Sequence, residues 1–546
     1  MKLYKISLLA FGALFTLSSC NDIDEQMPAG GELTGNQLES VYQETPSRQE
    51  ASFNGMFTMM CQPDYALNYI KRFDESPRPD DAGFFTIHFS DDLEGADMFG
   101  PNTNYNWFSA ASELSTRNAN YANPYIRYVI PFKQIGLALS NISTLADTVM
   151  IAQSRAVRAY DYMTLAPHFC FSTQPDSISI PILTDTTDYA HNPRQSFRKI
   201  MAIVMEDLDF AVEHLQGVAR TDKSRIDVNV AYGLRARANL LLGKYAEAAA
   251  DADKAMQGYT PASIQEVSKP AFCDLNEHNW MWGVSIPKNI AEISTASTPA
   301  SWICSFSGDA YTAGGGVYAM INVLLYNKIS ATDVRKGWWL NENNESPLLN
   351  GLVWTDTEKG ISYTGQEIVD ATIKNVKEPF LGYSNVKFGC KDGIGSTTNI
   401  NDWPLMRVEE MYLIKAEGLA KSNQVAQAKQ VLSDFVKTYR DPAYDINSIT
   451  RSLEDEIWFQ RRVELWGEGF FTIDAKRLGK NIVRFHDNKP SNVPDAFKFN
   501  IKYNDPWLNM RFPSTEMDNN LDIIDNVGGT QPEAGQNPEL RDGVTD

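Results

Sequence analysis

Residues 101–107, PNTNYNW, form a segment in which amide side chains alternate with aromatic rings. Its proline and asparagine content predicts a loop. A flat aromatic ring beside amide groups suits a molecule with apolar C–H faces and a rim of hydroxyls, which is the surface of a sugar. Asn104 and Trp107 are therefore candidate ligand-binding residues. Packing of Trp107 into a neighbouring helix is an equally good interpretation.

A second aromatic concentration lies between residues 260 and 403, where helical periodicity fades and glycines interrupt the chain. Six of the eleven tryptophans lie within residues 280–354: Trp280, Trp282, Trp302, Trp338, Trp339 and Trp354. Loops on a rigid scaffold often carry recognition. We select Trp302, Tyr311 and Trp338 as further candidate ligand-binding residues. Glycines 314–316 precede no Walker lysine, so the region gives no sign of a nucleotide site.

No arrangement of residues predicts catalysis. The adjacent Asp91 and Asp92 point in different directions, which favours a turn or a cap over a catalytic pair. The six histidines are scattered without an HExxH motif, and no CxxC pair occurs. With 69 acidic residues, carboxylate pairs can always be proposed, so a glycoside hydrolase stays open as an alternative. We expect no catalytic residue, metal or cofactor.

The overall charge narrows the class of ligand. The chain has 546 residues, 43% of them hydrophobic, and a net charge of −20. Binding a polyanion requires a concentrated Lys/Arg surface, so this balance argues against nucleic acid.

The N-terminus resembles a bacterial lipoprotein signal. Lys2 and Lys5 precede an apolar run over residues 6–17, which is too short to span a bilayer as a mature helix, and the run ends in Leu-Ser-Ser-Cys20. In such a lipobox the cysteine is acylated and becomes the first residue, and several acyl chains anchor a protein stably. We predict a signal peptide over residues 1–19, lipidation including palmitate at Cys20 and a flexible tether over 20–40. An ordinary secretory signal is the alternative.

Five cysteines remain after Cys20, and exported proteins can pair some of them. Cys273 and Cys304 are the favoured pair because they lie close in sequence. The odd number leaves at least one free thiol among Cys61, Cys170, Cys273, Cys304 and Cys390.

The scaffold that would position these loops is a helical repeat. In residues 231–255 the spacing of small and aromatic residues predicts a tetratricopeptide-like helix-turn-helix unit, with its turn at Gly243. A shift of 180 positions aligns it with residues 411–435, where Asn423 takes the place of the glycine. The paired positions are Tyr232/Tyr412, Ala236/Ala416, Gly243/Asn423, Tyr245/Val425, Ala248/Ala428, Ala252/Leu432 and Ala255/Phe435.

Further helices are predicted over residues 123–145, 150–165, 196–215 and 452–469, and a helical pattern resumes at Pro404. Arg155, Arg158 and Tyr162 share one helix face. The three-residue spacing also predicts ion pairs between Arg461 and Glu464 and between Asp474 and Arg477.

Together these segments resemble the SusD/RagB family of outer-membrane nutrient-binding lipoproteins. The matching segments are the lipobox at Cys20, SDD at 90–92, RAVRAYDYMTL at 155–165, the hairpin at 231–255, PLMRVEEMYLIKAE at 404–417, the RRVELWGEG block that continues to Arg477, and FPSTEMDNN at 512–520. Gln460 and Phe471 depart from the family pattern, and both are scaffold positions.

The resemblance implies a mainly α fold: a tetratricopeptide-like scaffold of about four helix pairs with a large, irregular, loop-rich insertion. We expect helical parts over 41–259 and 404–546 and the ligand-binding insertion over 260–403. It also implies a protein on the cell surface, anchored to the outer membrane, that captures oligosaccharides without chemistry and passes them to a SusC-like TonB-dependent transporter. Some family members take peptides, so a RagB-like peptide-binding lid is an alternative.

Overall fold

The computed structural model describes residues 46–61, 88, 92, 95–100, 122–170, 172–220, 222–288, 303–308, 318–371, 380–398, 400–526 and 532–546. The predicted signal peptide, Cys20 and the tether lie outside these residues. Within the described ranges, no helix has both the length and the apolar character needed to cross a bilayer.

The described chain is mainly α-helical, as predicted. Its α-helices are α1 (Pro46–Cys61), α2 (Ala122–Thr144), α3 (Thr148–Leu165), α4 (Phe197–His214), α5 (Val228–Leu241), α6 (Tyr245–Ala255), α7 (Ile264–Val267), α8 (Val323–Tyr326), α9 (Glu367–Asp370), α10 (Val408–Lys421), α11 (Val425–Tyr439), α12 (Leu453–Glu464), α13 (Phe471–Leu478) and α14 (Ser514–Asn519). Along the sequence, the long helices precede and follow a central region, residues 264–407, in which each described element has five residues or fewer.

Six short strands form three antiparallel pairs. They are β1 (Met98–Phe99), β2 (Trp280–Val284), β3 (Met320–Ile321), β4 (Val353–Asp356), β5 (Ile361–Thr364) and β6 (Trp403–Arg407). The pairs are β1 with β3, β2 with β6, and β4 with β5. The strand β6 corrects one expectation, because the helical pattern was predicted to begin at Pro404. All five β6 residues are buried, and the helix begins only at Val408.

The first predicted repeat is present as α5 and α6. Gly243 has a φ of +68°, the left-handed conformation that ends a helix most easily at glycine. The small residues Ala236, Ala248 and Ala252 are fully buried, and α5 packs closely on α6. The predicted helix-turn-helix unit is confirmed.

The second repeat is α10 and α11. Asn423 has a φ of +64°, so asparagine adopts the same turn conformation as Gly243. Ala416, Ala428 and Phe435 are fully buried, like their counterparts in the first unit. Val425 differs from its counterpart Tyr245. Val425 is 48% exposed, whereas Tyr245 is partly buried against the core.

The two repeats pack against each other through α6 and α10. A Cβ atom on Gly418 would lie 2.5 Å from the carbonyl oxygen of Tyr245 and 2.9 Å from the Cβ of Ala249. Glycine is therefore required at this crossing, because it lets the two helix backbones approach closely.

The predicted polar face of α3 contacts α4. The guanidinium groups of Arg155 and Arg158 bind the carboxylate of the buried Asp207, at 3.2 Å and 2.7 Å. The hydroxyl of Tyr162 accepts a hydrogen bond from the N–H of Leu183 at 3.0 Å. These side chains therefore hold the scaffold together.

Asp92 acts as a cap. Its carboxylate accepts hydrogen bonds from the N–H groups of Gly469, Phe470 and Phe471 at the start of α13, at 2.9–3.2 Å. This agrees with the predicted cap, and the capped helix lies far away in sequence.

We predict that Gly418→Ala destabilises the protein by about 1–3 kcal/mol, because the added methyl group overpacks the crossing of α6 and α10. Gly136→Ala is the matched control. It lies inside α2, and nothing lies within 4 Å of its added Cβ. The control is expected to gain about 0.5–1 kcal/mol from helix propensity. Urea unfolding of the two variants measures both effects, and equal stability would contradict the proposed crossing.

Candidate functional site

The structure describes one of the five candidate ligand residues. Asn104, Trp107, Trp302 and Tyr311 lie outside the described residues. Trp338 ends a 3₁₀ turn, Val334–Trp338, and is fully buried. Its indole N–H donates to the carbonyl oxygen of Val267 at 3.0 Å. The structure therefore places Trp338 in the core, where its ring is not open to a ligand.

Trp338 lies beside a buried lysine that sequence reasoning missed. The ammonium group of Lys387 lies 4.8 Å from the centre of the Trp338 ring and donates to the carbonyl oxygens of Glu464 and Trp466 and to the carboxylate of Glu468. Burial lowers the pKa of Lys387 to about 8, although Glu468 opposes the shift. Lys387 thus ties the loop-rich region to the end of α12.

Glu464 is the centre of the charged network at this junction. Its carboxylate binds Arg440 at 2.8 Å, Arg407 at 3.2 Å and Arg335 at 3.3 Å, and all four side chains are buried. Burial alone would raise the pKa of Glu464, but the three positive charges outweigh it and hold the pKa well below its usual range. The carboxylate is therefore ionised at neutral pH.

This network replaces the predicted pair of Arg461 with Glu464. Arg461 binds Asp474 on α13 instead, at 3.0 Å, and Glu464 turns towards partners from other elements. The last nine residues of α12, 456–464, are all buried, so its charged side chains find partners outside their own helix. The predicted pair of Asp474 with Arg477 is confirmed at 2.7 Å.

The clearest signal for the network was the presence of charged residues within otherwise apolar segments. Lys387 lies between the buried Val386 and Phe388, and Arg407 follows the apolar residues Leu405 and Met406. A charge at such a position is rarely buried without a partner. The sequence alone does not identify that partner.

A cavity of about 80 Å³ lies among α3, α5, α10 and α13. Its lining includes Tyr160, Arg237, Glu410, Phe470 and Asp474. Arg237 donates to both carboxylate oxygens of Glu410, through Nε at 2.8 Å and through Nη2 at 2.6 Å. The cavity is therefore lined by charges that already have partners within the protein.

The carboxylates of this cavity do not match an acid–base pair. A glycosidase needs one carboxyl group that stays protonated near neutral pH. Burial would raise the pKa of Asp474, but Arg461 and Arg477 hold it below its usual range. Burial would also raise the pKa of Glu468, but Arg407 and Lys387 hold it below its usual range. Asp474 and Glu468 are therefore carboxylates paired with cations, and neither is a protonated acid.

Burial raises the pKa of several carboxyl groups outside this cavity: Asp97, Asp161, Asp207, Glu277 and Glu456. Burial raises the pKa of Glu277 to about 7, and one of its oxygens accepts the N–H groups of Cys273 and Asp274. Burial also raises the pKa of Asp161, which is fully enclosed in α3. Among the described residues, no group of three or more His, Cys, Asp or Glu side chains is suited to hold a metal ion.

The cysteine prediction requires correction. The sulfur of Cys304 lies 2.9 Å from the sulfur of Cys390, whereas Cys273 was the favoured partner of Cys304. The loop-rich region brings together cysteines that are separated by many residues in sequence.

These features define a class: a helical-repeat scaffold, of the tetratricopeptide kind, that carries a loop-rich region through a buried ionic junction. Residues 335–527 match the SusD family. No curated protein sequence matches the chain.

Solved structures share the fold over most of its length. A SusD-like carbohydrate binding protein from Bacteroides vulgatus is 21% identical, with a TM-score of 0.67 over 88% of this chain and 97% of that one. A SusD superfamily protein from Bacteroides thetaiotaomicron is 18% identical, with a TM-score of 0.64 over 88% and 99%. A laminarin binding SusD-like protein is 15% identical, with a TM-score of 0.56 over 88% and 99%. The chain therefore shares its fold with SusD-like proteins, and residues 335–527 carry the sequence match to the SusD family.

We predict that Glu464→Gln destabilises the protein by about 3–5 kcal/mol, because it leaves three buried arginines short of one negative charge. Glu454→Gln on the same helix is the control. Its exposed pair with Lys421 predicts a loss below about 1 kcal/mol. Chemical unfolding at pH 7 measures both.

The stability difference between wild type and Glu464→Gln should depend on pH in a defined direction. The pKa of Glu464 is lower in the folded state than in the unfolded state, so its contribution is complete above the unfolded value of about 4.5 and declines as the pH falls below it. The gap between wild type and Glu464→Gln should therefore persist at pH 5 and narrow below pH 4.5. A gap that widens in acid would contradict the assignment.

Proposed function

We propose that this protein binds oligosaccharide or polysaccharide nutrients at the cell surface and delivers them to a SusC-like TonB-dependent transporter. The observation that carries the proposal is the match of residues 335–527 to the SusD family, together with a fold shared with a carbohydrate binding and a laminarin binding protein. Lipid attachment at Cys20 would hold the protein at the outer membrane. The membrane, the glycan and the transporter are then its three partners.

The described scaffold suits capture without chemistry. The carboxylates that line the helical cavity are bound to arginines or to Lys387. The ion pairs of the buried network connect different elements of the fold. A binding protein gains affinity when its contact surface is held in place before the ligand arrives. A junction of this kind supports loops without itself contacting a ligand.

We place the ligand on the loops that bear Asn104, Trp107, Trp302 and Tyr311. Aromatic side chains would stack on sugar rings while the amide of Asn104 reads hydroxyl groups. Trp338 is not part of this proposed surface because its ring is enclosed by Phe272, Trp339 and Lys387.

Calorimetry of the purified protein against an oligosaccharide panel and a peptide panel tests the proposal. We expect at least one glycan to bind and no peptide to bind. Trp107→Ala and Trp302→Ala should each raise Kd about tenfold or more, as the loss of a central aromatic contact usually does. Tyr189→Ala, which removes an aromatic residue that is 65% exposed near α4, should leave Kd unchanged.

Two results would overturn this function. Peptide binding without glycan binding would favour a RagB-like peptide lid. A steady release of new reducing ends from a bound glycan would show catalysis and place the protein among the hydrolases.

A further inference from the structure

Two cysteines from opposite ends of the loop-rich region lie in contact. Cys304 is fully buried, Cys390 is half-buried, and their sulfur atoms are 2.9 Å apart. This separation lies within about 1 Å of a covalent S–S bond. Both residues are thiols in this structure.

Backbone contacts hold the two cysteine-bearing segments side by side. The N–H of Gly308 donates to the carbonyl oxygen of Ser396 at 2.8 Å, and the N–H of Gly395 donates to that of Phe306 at 2.9 Å. A Cβ on Gly308 would lie 2.1 Å from the Gly395 oxygen, so no side chain fits between the segments. The side-chain amide of Asn385 also donates to the carbonyl oxygen of Ile303 at 3.2 Å.

These contacts lie on both sides of Cys304 in sequence. The sulfur pair is therefore not an accidental approach of two loose side chains, because Ile303, Phe306 and Gly308 are each bound to the segment that carries Cys390. The fold of these segments already brings the two sulfur atoms to within 2.9 Å of each other.

Cys273 is a third thiol near this pair. Burial raises its pKa, and the carboxylate of Glu277 raises it further. The pKa of Cys390 is raised by its hydrogen bond to Cys304 and by burial. In the folded protein Cys273 and Cys390 are therefore poor sources of the thiolate that attacks a disulfide.

We propose that Cys304 and Cys390 form a disulfide bond in the exported protein, and that Cys273, Cys61 and Cys170 stay reduced. The bond forms by exchange with an external disulfide, either a small molecule or the active-site disulfide of an oxidoreductase. One cysteine thiolate attacks that disulfide and releases a first thiol. The other cysteine then attacks the mixed disulfide and releases a second. Two electrons pass to the external disulfide, which is reduced to two thiols that take up the two protons.

The timing of this step follows from the burial of Cys304. This residue is fully buried in the folded protein, where an external disulfide cannot reach its sulfur atom. Exchange therefore belongs to the export stage, before the segments at 303–308 and 389–396 close on each other. An exported chain meets an oxidising environment at that stage.

The disulfide would fix the segment 303–308, which lies between Trp302 and Tyr311 in sequence. This consequence rests on the proposed function: a covalent link beside two ligand-binding residues would reduce the loss of chain entropy on glycan binding. The bond itself does not depend on that function, so the two can fail separately.

A thiol map of the exported wild-type protein tests the bond. Cells that export the full chain are quenched with N-ethylmaleimide, and the protein is digested without reductant and analysed by mass spectrometry. The quench is done in denaturant, so that N-ethylmaleimide reaches buried thiols. We expect one peptide pair joined through Cys304 and Cys390, with N-ethylmaleimide on Cys61, Cys170 and Cys273. Alkylation of both Cys304 and Cys390, or a link from either of them to Cys273, would overturn the proposal.

Melting temperatures supply a second readout. The bond closes a long loop, so dithiothreitol should lower the Tm of the wild-type protein by several degrees. Cys390→Ala should have a low Tm that dithiothreitol does not change, whereas the control Cys273→Ala should keep the full response. A wild-type Tm that is insensitive to dithiothreitol, or a Cys273→Ala variant without the response, would contradict the assignment.

Glycan affinity separates this proposal from the proposed function. If the joined peptide is found and no glycan binds, the proposed function fails and the disulfide stands. If glycans bind but both thiols are alkylated, the disulfide proposal fails alone.

Discussion

The assembly of this protein depends on the ion pairs that the fully buried carboxylate of Glu464 makes with three arginines. Its three arginine partners come from three places: Arg335 from the loop-rich region, Arg407 from the end of β6, and Arg440 from the end of α11. Removing charges from water is costly, and the cost is offset only while every charge keeps its partner. The network therefore favours the one arrangement in which strand, repeat and loops meet at the end of α12.

The same logic extends along α12 to the segment before β1 and to the C-terminal segment. Arg462 binds Asp97 beside β1 at 2.6 Å and Asp542 in the C-terminal segment at 2.7 Å. Lys387 adds the link to the loop-rich region through Glu468. The helical repeats thus form a frame that is fixed by buried charge. The proposed function assigns recognition to segments attached to that frame.

Local sequence patterns predicted the helical repeats well, because the geometry of each repeat depends on the spacing of residues that are close in sequence. The turns at Gly243 and Asn423 both have positive φ, as the alignment of the repeats required, and the small residues between the helices are buried. Long-range features could not be predicted in this way. Local spacing pairs Glu464 with Arg461 on its own helix, and it pairs Cys304 with the nearby Cys273. In the structure Glu464 binds Arg440 and Cys304 contacts Cys390, and both partners come from other segments. Trp338 was chosen for its aromatic character, which a core residue shares with a residue that binds a sugar.

Hydrogen–deuterium exchange with the tightest-binding oligosaccharide of the panel tests most directly whether loops on a fixed frame take up the ligand. The account predicts slower exchange on binding in peptides that cover residues 101–107 and 301–311, with unchanged exchange in α10 and α12. Slower exchange confined to the helices around the internal cavity, with no change in those two segments, would contradict it.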